Sequence, residues 1–253
     1  MDAGNDDADS TLGHDDYSAT TSLRSSIVDY RVENGRTYHR YKEGNRLDLQ
    51  HHLFLLAFEN KLGFAPPNEP DWEGRRVLDV GAGTGIWCID FGDEHPDVDV
   101  LGFDLSATQP EFVNINKPGG YIELQEADSR ILSADGSAER GAFHKSLSYV
   151  SSALEVFGSP FIPLDDLASL LPRAGFVDVS DRRFVWPLNS WPRDPHLSEL
   201  GSWTRENLAC NTAGMIMAPM TRVHGWRQEE VHVFAAEVRR ALADRGNHGY
   251  WPM

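Results

Sequence analysis

The sequence predicts an α/β protein built on an open, doubly wound sheet with helices on both faces. Three observations carry that expectation. The stretch "RRVLDVGAGTGIWCIDFGDEHPDVDVLGFDLS" sets an apolar strand, a glycine turn, a helical segment and a second apolar strand in a row, which is the order of a strand–helix–strand unit. Beyond it, strand-like and helix-like periods continue to alternate. The chain has 253 residues, 40% of them hydrophobic and 25% charged, enough for one sizeable core.

In chain order, residues 1–25 come first. Their first twenty positions hold six Asp and no Lys or Arg. Such a segment buries too little apolar surface to order itself, so it is predicted to be a disordered acidic tail. Residues 26–253 are predicted to form the folded domain. Within it, 26–70 are helices over the N-terminal side. Leu47, Leu49, His52, Leu53, Leu56 and Phe58 give one apolar face, predicting a helix over Asn45–Leu62, which "APPNEP" then breaks. Val77, Leu78 and Val80 make the first core strand, Ile86–Glu94 a helix, and "DVDVLGFD" the second strand. "GGYIELQEA" is predicted as a third strand. Phe143, Leu147, Val150, Leu154 and Phe157 recur at helical spacing. A shorter helix over Asp166–Ala174 is weakened by Pro172. "GFVDVSDRRFVWPL" is predicted as a fourth strand, and the Trp- and Pro-rich stretch after it as one or two substrate-side helices. Val231, Phe234, Ala235, Val238 and Leu242 mark the last amphipathic helix, and "HGYWPM" an edge strand.

Net charge is −16. A surface that acidic repels phosphate backbones and anionic lipid, so direct nucleic-acid or membrane partners are disfavoured. Two cysteines, Cys88 and Cys210, make neither a disulfide framework nor a zinc spacing and fit a reducing, intracellular setting, cytoplasmic or nuclear. No metal-ligand spacing and no nucleophile elbow is present, so no metal is expected.

The glycine turn "DVGAGTG" carries the chemistry. Gly81, Gly83 and Gly85 let the chain swing sharply from strand to helix and let a ligand touch the backbone. A dinucleotide site wants its third glycine one residue later, where Ile86 stands. Asp79 ends the first strand, and Asp104 follows the second, where a carboxylate accepts ribose hydroxyls. Carboxylates suit a ligand carrying an ammonium and a sulfonium better than one carrying a pyrophosphate. The expected cofactor is therefore S-adenosylmethionine, bound by Asp79, Gly81, Gly83, Gly85 and Asp104.

The segments "YRVENGRTYHRY", "RLDLQHHLF", "VLDVGAGTGIWCIDFGDEHPDVDVLGFDLSATQP", "PGGYIELQEAD", "LGSWTRENL" and "HGYWPM" resemble the LaeA-like fungal methyltransferases. These are class I S-adenosylmethionine-dependent proteins linked to secondary metabolism, some nuclear regulators and some tailoring enzymes. The resemblance covers nearly everything after residue 26. It implies a Rossmann-like class I methyltransferase sheet, and that Tyr38 and its neighbours close the pocket from the N-terminal side. It also exposes a departure. Family members carry two further strand–helix units between "DLSATQP" and "PGGYIE", and here only Glu111–Lys117 remain. That is a loss of about two units, or ~50 residues. The cofactor half (71–110) and C-terminal half (118–253) then join directly. The lost piece normally supplies the acid facing the adenine and part of the acceptor wall. The first strand is expected to pair directly with "YIELQEA" or to leave an exposed edge that invites a homodimer.

Other residues stand open between two roles. Tyr38, His39 and Tyr41 either close over the cofactor or pack on the sheet edge. Adjacent His51 and His52 point to different sides of a helix, one of them into the core. Glu123, Gln125 and Glu126 sit at the ligand edge of their strand. Glu126 and His39 are the candidate bases, against a reading of solvated charges. Arg205, Glu206 and Asn207 are candidate acceptor contacts. Trp186, Trp191, Trp203, Trp226 and Trp251 are packing residues or the lining of an apolar acceptor pocket. The expected function is methyl transfer to an oxygen or nitrogen of a small-molecule acceptor. The alternative is a catalytically impaired, methyltransferase-like protein that acts by binding a regulatory partner.

Overall fold

A computed structural model describes residues 32–33, 36–37, 40–69, 71–104, 119–139 and 141–253, with side chains from Arg46 onward. The acidic tail, Tyr38, His39 and the junction at 105–118 lie outside the described residues. So does the Tyr41 side chain.

Helices and strands are interspersed along the chain. β1 (Val32–Glu33) and β2 (Arg36–Thr37) form an antiparallel pair. α1 covers Arg40–Ala57. It ends earlier than its apolar pattern predicts, because Glu59 and Asn60 take φ of 57° and 63°, left-handed backbone that no helix continues through. β3 (Arg76–Val80), α2 (Ile86–Glu94) and β4 (Asp99–Phe103) make the predicted unit, and β3 and β4 run parallel with Leu78 beside Leu101. α3 (Ala142–Val156) and α4 (Leu164–Arg173) follow. Pro172 sits in the last turn of α4, where its missing N–H and ring disturb only one turn. β5 is Val185–Pro187. The tryptophan-rich region is a single 28-residue helix, α5 (Pro195–Arg222). Asp194 caps it by accepting the Leu197 N–H at 2.9 Å, with Pro195 in the first turn, as such starts favour. α6 (Gln228–Ala243) and β6 (Tyr250–Pro252) complete the order.

Two predicted strands need correction. "GGYIELQEA" is not a strand, and of "GFVDVSDRRFVWPL" only Val185–Pro187 is one. Both sequences have strand composition, but a strand also needs a neighbour to exchange ladder hydrogen bonds. Among the described residues, 120–127 and 177–183 make no backbone-to-backbone hydrogen bond. "YIELQEA" therefore does not pair with β3, whose partner among the described residues is β4. The described strands form three separate two-stranded sheets, β1–β2, β3–β4 and β5–β6.

The core sits in the helices. Phe143 of α3, Leu208, Ile216, Met217 and Met220 of α5, and Val231, Phe234, Val238 and Leu242 of α6 form its main body. α5 comes so close to the backbone of Asn189 that a Cβ on Gly201 would collide with it. A second cluster joins Leu53 and Ala57 of α1 and Phe58 just after it to Trp186 and Leu200. The β3–β4 sheet is covered on one face by α2, whose Cys88 Sγ would lie 2.6 Å from a Cβ on Gly102. On its other face Val80 is 59% and Leu101 48% exposed, where a parallel sheet ordinarily buries both sides.

Candidate functional site

The glycine turn stands at the carboxyl edge of β3 and β4. Gly81, Gly83 and Gly85 have φ of 85°, 55° and 82°, the left-handed region that glycine enters without steric cost. Two bonds fold the turn back over β4: the Gly81 and Ala82 N–H groups donate to the Phe103 carbonyl at 2.8 and 2.9 Å. Asp104 then accepts the Gly83 N–H at 2.9 Å. Among the described residues a Cβ above Gly81 or Gly85 would meet nothing within 4 Å, which leaves their backbone open to a ligand on that side.

α1 lies against this turn. Leu47 Cδ1 would be 3.0 Å from a Cβ on Gly83. Thr84 Oγ1 donates to Asp48 Oδ1 at 2.7 Å. His51 Nε2 and Asp90 Oδ2 are 2.8 Å apart. Leu47, Asp48 and His51 were not singled out as site residues by sequence reasoning. The signal was available, since positions i, i+1 and i+4 share one helical face, but nothing local said what that face would meet.

Asp79 and Cys88 form a coupled pair beneath the turn, with the thiol donating to Asp79 Oδ2 at 3.3 Å. Burial pushes the Asp79 carboxyl above its ordinary value. The thiol hydrogen bond opposes the rise, and the neighbouring Asp104 charge adds to it. Burial and the same Asp79 contact push the Cys88 thiol up to about 12.

The predicted residues are thus brought together in part. Asp79, the three glycines and Asp104 converge on one turn. Glu126 lies elsewhere, in a cleft of about 280 Å³ between 120–126 and 176–184 whose lining includes none of them. Burial raises its carboxyl as well. Glu123 is engaged structurally, accepting the Phe64 and Ala65 N–H groups at 2.8 and 2.7 Å, and Gln125 donates to the Leu62 carbonyl at 2.9 Å.

Of the lid candidates, Asn207 is buried and ties α5 to α1 by donating to Gln50 Oε1 at 2.9 Å. Glu206 accepts from the Cys210 thiol at 3.3 Å, and Arg205 is exposed. The tryptophans mostly pack. Trp186 is buried and donates to Thr204, Trp191 donates to the Gly249 carbonyl at 3.0 Å, and Trp226 and Trp251 lie against Phe234 and Phe143. Trp203 is exposed against His52. Among the described residues no group of three or more His, Cys, Asp and Glu could hold a metal ion. No described helix is long and apolar enough to cross a membrane.

Strand, glycine turn, helix and parallel strand, with an acid at or after each strand end, define a class: α/β proteins that take a ligand at the carboxyl edge of the sheet. The comparisons narrow it. The chain is 30% identical to "Methyltransferase pytC" of Aspergillus terreus over 282 positions, covering 89% of this chain and 86% of that one. It is 26% identical to "Secondary metabolism regulator laeA" of Aspergillus fumigatus over 94% of this chain and 79% of that one. It is 26% identical to "Probable methyltransferase tdiE" of Emericella nidulans over 83% and 80%. The chain belongs to the LaeA-like family of fungal methyltransferases and secondary-metabolism regulators. No family model matches the chain, and no solved structure matches it.

Proposed function

We propose that this is an S-adenosylmethionine-dependent methyltransferase-like protein of fungal secondary metabolism, acting on an oxygen or nitrogen of a small-molecule acceptor. One observation carries the reading. Asp104 is fastened to the Gly83 N–H at the carboxyl edge of two parallel strands, in a turn open above Gly81 and Gly85. The donor set fits the cofactor: carboxylates for an ammonium and for ribose hydroxyls, and open glycine backbone for close approach. When bound, S-adenosylmethionine supplies an electrophilic methyl group on its sulfonium. The residues of the chain do the rest. The turn seats the ligand, Asp104 accepts ribose hydroxyls, Asp79 supports the turn from below, and α1 closes one side through Leu47 and Asp48. Transfer then rests on proximity and orientation, with Glu126 as the proposed acceptor-side base, its proton affinity lifted by burial. The cofactor half is assigned to 71–110 and the C-terminal half to 118–253.

A second reading, a methyltransferase-like protein that acts by binding a partner, is favoured by a different observation. The alignment to pytC runs over 282 positions but uses 89% of this 253-residue chain, about 225 residues, leaving about 57 positions without a counterpart here. The laeA alignment leaves about 59, from 297 positions and about 238 residues. That deficit supports a chain shorter by roughly two strand–helix units.

Two variants test the first reading by equilibrium dialysis with S-adenosylmethionine. Asp104→Asn keeps an acceptor for the Gly83 N–H and removes the charge. Asp104→Ala removes both. Loss of a charged hydrogen bond of about 1.5–3 kcal/mol predicts roughly 10- to 100-fold weaker binding for the alanine variant, with the asparagine variant between it and the unaltered chain. Binding indifferent to both changes would sink the assignment.

A further inference from the structure

Three carboxylates stand around the glycine turn, and two of them have work already. Asp79 lies beneath it. Its Oδ2 accepts the Cys88 thiol at 3.3 Å, and burial disfavours its charge. Asp104 accepts the Gly83 N–H at 2.9 Å and follows β4, the position from which an acid takes ribose hydroxyls. A cofactor with an amino-acid end also presents an ammonium, which calls for a carboxylate of its own.

The third carboxylate comes from α1. Asp48 is half-buried, and its Oδ1 accepts the Thr84 hydroxyl at 2.7 Å on the exposed side of the turn. α1 is anchored on either side of it. Leu47 lies against Gly83, and His51 Nε2 is 2.8 Å from Asp90 Oδ2 of α2. These three residues share one helical face, so the anchors on both sides fix where Asp48 points. A carboxylate accepts through two oxygens, and Thr84 takes one. Among the described residues no Lys, Arg or His pairs with Asp48. Its charge therefore stands uncompensated at Thr84, one residue from Gly85, above which a Cβ would meet nothing within 4 Å.

We propose, resting on the cofactor reading of this turn, that Asp48 is a cofactor-binding residue. Its carboxylate, oriented by the Thr84 hydroxyl, holds the α-ammonium at the amino-acid end of S-adenosylmethionine. Asp79 then serves the turn and Asp104 the ribose, and each acid has one task.

Three ligands separate the parts of the cofactor, each titrated calorimetrically into the full chain and into Asp48→Asn. That variant keeps an acceptor for Thr84 and removes the charge. S-adenosylmethionine carries both the ammonium and the sulfonium, S-adenosylhomocysteine carries the ammonium with a neutral sulfur, and methylthioadenosine carries neither charge. Asp48→Asn should weaken the first two alike, about tenfold or more, and leave the third as it was. Thr84→Val, which frees the carboxylate to turn, should weaken the same two less steeply. Equal weakening of all three ligands makes Asp48 a strut of the turn and overturns the assignment. Weakening of S-adenosylmethionine alone overturns it in favour of the sulfonium. Undiminished binding of all three by Asp48→Asn overturns it while the cofactor reading stands, whereas an unaltered chain that binds none of the three removes both.

Discussion

Cys88 donates its thiol proton in a hydrogen bond to Asp79. The carboxyl is raised by burial, and the thiol is held near 12 by burial and by that carboxyl. Cys88 therefore stays a neutral thiol at physiological pH, and thiolate is the reactive form. Cys210 is exposed on α5, its thiol raised by the Glu206 hydrogen bond. In native protein at pH 8, Ellman's reagent should titrate Cys210 first and reach Cys88 only after denaturant is added. Two equivalents released together from folded protein would contradict this environment for Cys88. At this scale the sequence was informative where backbone conformation dictates residue type: Gly81, Gly83 and Gly85 were legible because a left-handed turn calls for them. Asp104 was legible as a ligand-edge acid. Its bond to the Gly83 N–H was not, because a side chain that serves its own backbone has the same sequence signature as one that serves a ligand.

The helices were legible and two of the predicted strands were not, for a physical reason. A helix satisfies its backbone within its own segment, so apolar periodicity alone located α2, α3, α4 and α6. A strand is completed by a distant neighbour. β3 and β4 found each other across α2, whereas 120–127 and 177–183 have strand composition but, among the described residues, no backbone partner. What holds the end of the first of these stretches to α4 is a carboxylate. Asp128, 3% exposed, accepts from Arg130 N–H at 2.8 Å and from its guanidinium at 2.9 and 2.7 Å. These contacts, with the Leu164 N–H at the start of α4, hold its carboxyl below the ordinary 3.8 despite burial. A depressed folded value means stability present above pH ~3.8 and lost as pH falls through that lower value. Asp128→Asn should therefore cost about 1 kcal/mol at pH 7, since the Arg130 end is exposed to solvent. The gap to the unaltered chain should narrow as pH falls below 3.8, as read by urea melts across that range. A gap that persists unchanged at low pH would show that Asp128 does not act through its charge.

The whole molecule divides its labour unevenly. The helices α3, α5 and α6 hold most of the buried core, while the β3–α2–β4 unit leaves one apolar face open and is tied to the rest through α1 and the loop after it. The ties are His51 to Asp90, Asp48 to Thr84, and the Trp87 indole N–H to the Leu62 carbonyl at 3.0 Å. Family membership was legible from the quoted motifs because they lie on both sides of the junction. Which strands have neighbours was not legible, since pairing turns on distant segments. The central claim is that the glycine turn is a binding site for S-adenosylmethionine. Isothermal titration of the full chain with S-adenosylmethionine tests it most directly. The account predicts saturable one-to-one binding that Asp104→Ala weakens. A chain that melts cooperatively yet gives no binding heat at any temperature tried, and shows no shift in melting with the ligand, would contradict it.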